Sequence, residues 1–331
     1  FDLQGIIKAL SKESEPVSAE VVVHRYLHPE DANTALKSIE CAFNAKLEVL
    51  KKQLDNGICK TTIRHYNASK DHVLAFLQYQ YKRKNLLLSK VDMGFIQLFE
   101  QYLLTEKRMR QVSCNKVVQR FRTVIKYAVV LEWLPKDPLL QYKAKKVTTS
   151  VVYLTSEELG LLTAHQFRQE RLNRVKDIFM FSVYTGLHFK EAISLRKEHI
   201  EVENGQRWLR YKRFKTNVAI AVPLLPQAEQ VLEKLAPFVE GDYLLPRISN
   251  VKVNSYLKEI GEIVGIQKLL THKVARKTFA STILLGNHVP MAVVSQLLGH
   301  SSLKITQAHY ARLDGTIIKS SMEQVRVMLD K

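Results

Sequence analysis

The sequence predicts a mainly α protein of two domains, with one small β-sheet in the second. Three observations predict it. Apolar residues recur at three- and four-residue spacing through most of the chain; one segment alone, residues 207–225, reads as extended; and a stretch rich in proline and lysine interrupts the helical patterns near residue 148. At 331 residues and 46% hydrophobic content, the chain is long enough to bury two cores.

The elements follow in order. "HPED" opens and "DNG" closes a helix over about residues 29–54, whose stripe of Leu36, Ile39, Phe43, Leu47 and Leu50 marks it as a connecting or packing helix. Amphipathic patterns at about 61–81, 93–104 and 114–131 then form a small helical domain, residues 58–147, behind an N-terminal segment of residues 1–57. In the last of these helices Val117, Phe121, Val124, Ile125 and Ala128 face inward, while Lys116, Arg120, Arg122 and Lys126 lie elsewhere on the surface. "LPKDPLLQYKAKKVTTSVVYLTSEEL" reads as a linker that ends in a capping box, Thr155 to Glu158. Beyond it, helical patterns at about 156–164, 171–184 and 188–196 precede the extended segment, in which two runs flank residues 214–217. Helices resume at about 226–236, 250–264, 273–286 and 290–298.

Charge is unevenly spread. The net charge of +18 suggests a polyanionic partner, nucleic acid or an anionic membrane surface. Residues 58–147 carry 18 basic and 6 acidic side chains, against 7 and 9 in residues 1–57 and 25 and 17 in residues 148–331. Phosphate contact is therefore expected first in the middle segment, from Arg108, Arg110, Lys116, Arg120, Arg122 and Lys126. No apolar run is long enough to span a bilayer, and the first residues lack a basic start followed by an apolar core, so a cytoplasmic, unexported protein is expected. Cys41, Cys59 and Cys114 show no C-x-x-C spacing, which implies neither a disulfide framework nor a zinc site.

The stretch "THKVARKTFAS", residues 271–281, collects His272, Lys273, Arg276 and Lys277 with no acidic residue among them. Cations crowded at a helix start oppose the positive end of its dipole, so an anion is expected there: phosphate, carboxylate or a distant acidic side chain.

Four segments complete a pattern: "YTGLHFKEAISL" (184–195), "KRFKTNVAIAVPL" (212–224), "HKVARKTFAS" (272–281) and "LLGHSSLKITQAHYARL" (297–313). In that order they resemble the tyrosine recombinase (phage integrase) family, and specifically integrases of mobile or conjugative elements of Bacteroidetes-type bacteria. The resemblance spans residues 58–331 and is strongest over 180–313. It implies a two-domain, C-shaped clamp on duplex DNA, a helical core-binding (SAM-like) domain followed by a catalytic domain. Residues 1–57 then resemble a linker or the remnant of an arm-type DNA-binding region.

The resemblance also implies chemistry that uses neither metal nor other cofactor. Tyr310 falls at the family's nucleophile position and would form a 3′-phosphotyrosyl bond. Arg276, in "ARKTFA", matches an arginine whose planar fork can hold two non-bridging oxygens. His300, in "LGH", matches the residue that hydrogen-bonds the scissile phosphate. Lys215 stands at the spacing of the hairpin lysine that protonates the leaving oxygen, with Lys212 and Arg213 as neighbouring competitors. The family writes T-G-L-R where this chain has Thr185, Gly186, Leu187 and His188, so a titratable histidine stands where an arginine is usual. Three residues before Arg276 stands Lys273, favoured for the family's His-or-Lys position, with His272 as runner-up. His300 and Tyr310 stand one residue further apart than is commonest in the family, which puts His309 where the shorter spacing would place the nucleophile.

The tail, residues 314–331, reads as an amphipathic helix that either docks on a neighbouring protomer, as in the family, or covers its own domain. The partners implied are double-stranded DNA at the nucleoid, further copies in a tetramer, and accessory DNA-bending proteins. Two rivals share the sequence features: a catalytically impaired DNA-binding relative, motivated by His188, and a type IB topoisomerase.

Overall fold

The computed structural model describes residues 3–12, 37–54, 56–147, 151–214, 217–300 and 302–310, together with positions 19, 22, 23, 26, 322, 325 and 326. Backbone contacts divide the chain into two compact units, Phe1–Thr148 and Thr149–Lys331.

In the first unit, helices α1 (Leu3–Lys12), α2 (Ile39–Lys52), α3 (Lys60–Tyr81), α4 (Met93–Thr105) and α5 (Gln111–Val130) are described. Their core is aromatic: Phe76 meets Phe95 edge-on with centroids 5.2 Å apart, and Phe99 meets Phe121 edge-on at 5.9 Å. Ile39, Ala42 and Phe43 of α2 are fully buried in that same core. The apolar stripe read along this helix thus meets the bundle core at Ile39 and Phe43. The helix also opens later than the sequence suggested, within the described residues. Ser38 forms a bridge with Leu87 and its hydroxyl accepts from the Cys41 N–H, so the helix begins at Ile39.

The linker is tied down on α4 and α5. Buried Glu100 accepts from Gln111 Nε2 at 2.8 Å and from the Tyr142 hydroxyl at 3.1 Å. Arg122 donates to the Leu139 carbonyl at 3.1 Å and lies over the Tyr142 ring. Its guanidinium is thus engaged within its own unit, unlike Lys116, Lys126, Arg108 and Arg110, which are exposed. Arg120 is half-buried and donates to the Lys116 carbonyl.

The second unit opens with α6 (Ser156–Ala164), whose capping box is formed as read: Thr155 Oγ1 accepts from the Glu158 N–H and the Glu158 carboxylate accepts from the Thr155 N–H. Helix α7 (Glu170–Thr185) is its centre, with Val175, Ile178, Phe179, Phe181 and Val183 all buried, so it is apolar on nearly every side. The pattern at 188–196 yields only one helical turn, α8 (Phe189–Ala192).

The sheet has three antiparallel strands in the order β1 (Ile200–Glu203), β2 (Gln206–Lys212), β3 (Ala219–Pro223). Leu209 opposes Val222 and Tyr211 opposes Ile220. Strand β1 escaped sequence reading because three of its four residues are exposed, leaving no buried alternation to detect. Helices α9 (Pro226–Leu235), α10 (Asn250–Val264), α11 (His272–Thr278), α12 (Met291–Leu297) and α13 (Leu303–Tyr310) follow. After α11 the chain widens into a π-helical segment, Phe279–Leu284, and a 3₁₀ turn, so the single helix expected over 273–286 changes hydrogen-bond pattern midway. Among the described residues no helix is long and apolar enough to cross a membrane.

Candidate active site

Two turns and two helices build the site. The first turn follows α7, which ends on Gly186 with φ of +70°. A Cβ there would lie 2.4 Å from Phe279 Cδ1, so glycine is required by conformation and by space alike. The second follows α12, where Gly299 has φ of +59° and a Cβ would meet Ile220 Cδ1 at 2.1 Å. Both glycines belong to the quoted motifs, "YTGLH" and "LLGH".

Arg276 spans the two turns. Buried to 5% exposure, it donates Nη1 to the Gly186 carbonyl at 2.6 Å and Nη2 to the Leu298 carbonyl at 2.5 Å. Carbonyls at helix C-termini carry partial negative charge and stabilise a cation without cancelling it. His300 leaves the second turn, and its Nδ1 lies 2.8 Å from the hydroxyl of fully buried Thr306, which fixes the ring plane. Thr306 belongs to α13, whose last residue is Tyr310. Four residues at about 1.5 Å each put the two backbones roughly 6 Å apart along that helix.

Arg213 joins them from the end of β2. Arg213 is the residue after the last of β2, of the same parity as Leu209 and Tyr211, and is buried to 9% exposure. Its Nε donates to Glu191 Oε1 at 3.2 Å and its Nη1 to the carbonyls of Gly299 at 2.9 Å and Leu298 at 3.2 Å. Glu191, itself buried, accepts the His188 N–H on its other oxygen at 3.0 Å.

His188 stands at the centre of these charges. Crowding by protein atoms, then Arg276, Arg213, Lys277 and His300, push its imidazole down to about 3, although part of its surface is exposed. Water still reaches the ring, so of these causes the neighbouring guanidiniums of Arg276 and Arg213 are the firmer ground for its neutrality at pH 7. Lys277 is pushed down to about 8, by burial first and then by Lys273 and Arg276.

The structure therefore brings together His188, Arg276 and His300 from three distant segments. Lys273 is exposed on the same helix, whereas His272 is buried to 3%, with Nε2 3.0 Å from Ser182 Oγ. Lys215 lies outside the described residues, as do the Tyr310 side chain and most of the tail. Sequence reasoning passed over Glu191, named Lys277 only as one of the cations of residues 271–281, and treated Arg213 only as a competitor of Lys215. The alternation of β2 carried the missing signal, since Leu209, Tyr211 and Arg213 have one parity and exposed Lys212 the other. Among the described residues no group of three His, Cys, Asp or Glu side chains could hold a metal ion.

Comparison with known proteins bears on the family. The Phage integrase family model matches residues 152–316, and the Phage integrase SAM-like domain matches residues 42–146. Tyrosine recombinase XerD of Lacticaseibacillus casei is 26% identical over 275 residues, 77% of this chain and 89% of that protein. The XerD of Staphylococcus aureus (strain Mu50 / ATCC 700699) is 23% identical over 279 residues, 78% of this chain and 90% of that one. Among solved structures, a lambda integrase(75-356) dimer bound to a COC' core site superposes with a TM-score of 0.65 at 16% identity, covering 81% of this chain and 97% of that one. The Tn1549 transposon integrase in complex with a circular intermediate DNA superposes with a TM-score of 0.66 at 15% identity, covering 84% and 98%. These two likenesses are of fold. With one matched model in each unit, and a buried arginine spanning the two glycine turns of its motifs, the chain belongs to the phage integrase family, the tyrosine recombinases.

Proposed function

We propose that this enzyme, a site-specific DNA recombinase by family, breaks and rejoins strands through a 3′-phosphotyrosyl intermediate in the integration or excision of a mobile element. One observation supports the reading: Arg276 donates to the carbonyls of Gly186 and Leu298, in the turns that lead to His188 and His300, and His300 meets Thr306 on the helix that ends in Tyr310.

In the reaction the Tyr310 phenolic oxygen bonds to the scissile phosphorus as the P–O5′ bond breaks. The phenol gives up its proton to water, and the leaving 5′-oxygen takes one from Lys215. Arg276 holds two non-bridging oxygens and His300 a third contact, stabilising charge that grows in the pentacoordinate state. A 5′-hydroxyl from a second strand then reverses the step and releases the tyrosine. The exposed lysines and arginines of the first unit supply phosphate contacts, and four copies act on paired sites.

The test uses a duplex isolated from a randomised library by retention on the full chain, then nicked beside the cut position. A covalent protein–DNA adduct forms with the natural chain and is lost in Tyr310→Phe. An adduct that survives in Tyr310→Phe would assign another nucleophile, and no adduct at all would favour the binding-only relative. Lys215→Ala fails on ordinary DNA yet cuts a 5′-bridging phosphorothiolate, because a thiolate leaves without a proton.

A further inference from the structure

We propose that Arg213 is a catalytic residue that supplies to the scissile phosphate the guanidinium which position 188 does not. The inference rests on the phosphotyrosyl reading above.

Four observations converge on it. First, Arg213, one residue beyond β2, is buried to 9% exposure, so a charged group occupies a place beside the core. Burying a guanidinium is costly unless its hydrogen bonds are met, and here Nε and Nη1 meet a carboxylate and two carbonyls. Second, Arg213 is anchored to the position it would replace. Glu191 takes Arg213 Nε on one oxygen and the His188 backbone N–H on the other, so a single carboxylate fixes both.

Third, Arg213 and Arg276 share the Leu298 carbonyl, which places two guanidiniums side by side next to His300. A fork on each of two arginines is what the non-bridging oxygens of a phosphodiester need, and one carboxylate between them leaves a net positive charge. Fourth, the stem of Arg213 fills the space beneath the His300 turn: its Cδ lies 3.0 Å from where a Gly299 Cβ would be. Its Nε and Nη1 are engaged, and Nη2 has no hydrogen-bond partner among the described residues. That edge is the one a phosphate oxygen would meet. Glu191 then orients the arginine from behind, and His188, neutral, contributes one hydrogen bond rather than a charge.

The experiment uses the full chain on the library-selected duplex, with either an ordinary phosphodiester or a methylphosphonate at the bond whose position the adduct reveals. Methylphosphonate lacks one anionic oxygen, so it relieves the need for one cation. Arg213→Ala should form adduct about 100- to 1,000-fold more slowly than the natural chain on the phosphodiester. On methylphosphonate the deficit should shrink to within about tenfold. Adding His188→Arg to Arg213→Ala should restore part of the loss on the phosphodiester, since the charge returns from the other side of Glu191. If Arg213→Ala does not melt cooperatively or does not retain the duplex, Arg213→Lys carries the same comparison, keeping the charge without the fork.

Cleavage of the phosphodiester at the natural rate by Arg213→Ala overturns the proposal. So does a deficit of equal size on both bonds, which would make Arg213 a structural group. Failure of the natural chain to form any adduct strikes the phosphotyrosyl reading itself and is recognisable without any Arg213 variant.

Discussion

His272 and Arg276 are both buried on one short helix, yet their partners differ: Arg276 meets two carbonyls, and His272 an aromatic ring and a serine hydroxyl. His272 packs edge-on against Phe189 at 5.2 Å, and its backbone N–H donates to Asn254 Oδ1 at 2.8 Å. Burial first, then His188, pushes its imidazole down to about 4. A group whose folded value lies below its ordinary 6.5 takes up fewer protons in the fold than in the unfolded chain at mildly acid pH. Stability is therefore complete above about pH 6.5 and is lost as pH falls toward 4, by up to about 3 kcal/mol at ~1.4 kcal/mol per unit. Denaturant midpoints measured from pH 7 down to 4.5 should fall steeply in the natural chain and more gently in His272→Gln. An unchanged slope in the variant would show that other groups set the acid limit. The residue scale also shows what sequence could reveal. Arg276 and His300 were legible because short motifs name them, whereas the choice between His272 and Lys273 was not. Both lie about one turn before Arg276, and only packing shows that the histidine faces Ser182 while the lysine faces solvent.

Among the elements, α7 and the π-helical segment are fitted to each other at Gly186. The ring of Phe279 occupies the volume a side chain would need, and the Gly186 carbonyl holds Arg276. Gly186→Ala combines a disfavoured left-handed backbone with a steric clash, so it should destabilise the second unit by roughly 2–4 kcal/mol and also slow adduct formation. Thermal melting beside the cleavage assay checks this; a variant that melts like the natural chain would mean that Phe279 yields without loss. Most helices were legible from their apolar period, and the Thr155 capping box gave one start to the residue. The widening of the helix at Phe279 was not, because a π segment leaves the same apolar spacing over so short a run. Nor was Ser38 as the start of α2, where a bridge to Leu87 decides the matter across almost fifty positions of chain.

Across the whole molecule, charge is divided by task. The first unit spreads exposed cations over its surface, Lys116 and Lys126 among them, while the second buries Arg213 and Arg276 with carbonyl and carboxylate partners. Exposed cations act on DNA by displacing counterions, so affinity should fall steeply with salt, and Lys116→Ala and Lys126→Ala should each reduce the logarithmic slope by about 0.9. Titration of a fluorescent duplex at several salt concentrations checks it, and an unaltered slope in both variants would remove α5 from the DNA contact. The buried pair answers to a different constraint. Because one oxygen, that of Leu298, seats both guanidiniums, a substitution that shifts the loop after α12 perturbs both arginines together. Evolution or design cannot retune either arginine alone through that loop, and covariation between its backbone-shaping glycine and the hairpin arginine is the trace such coupling would leave.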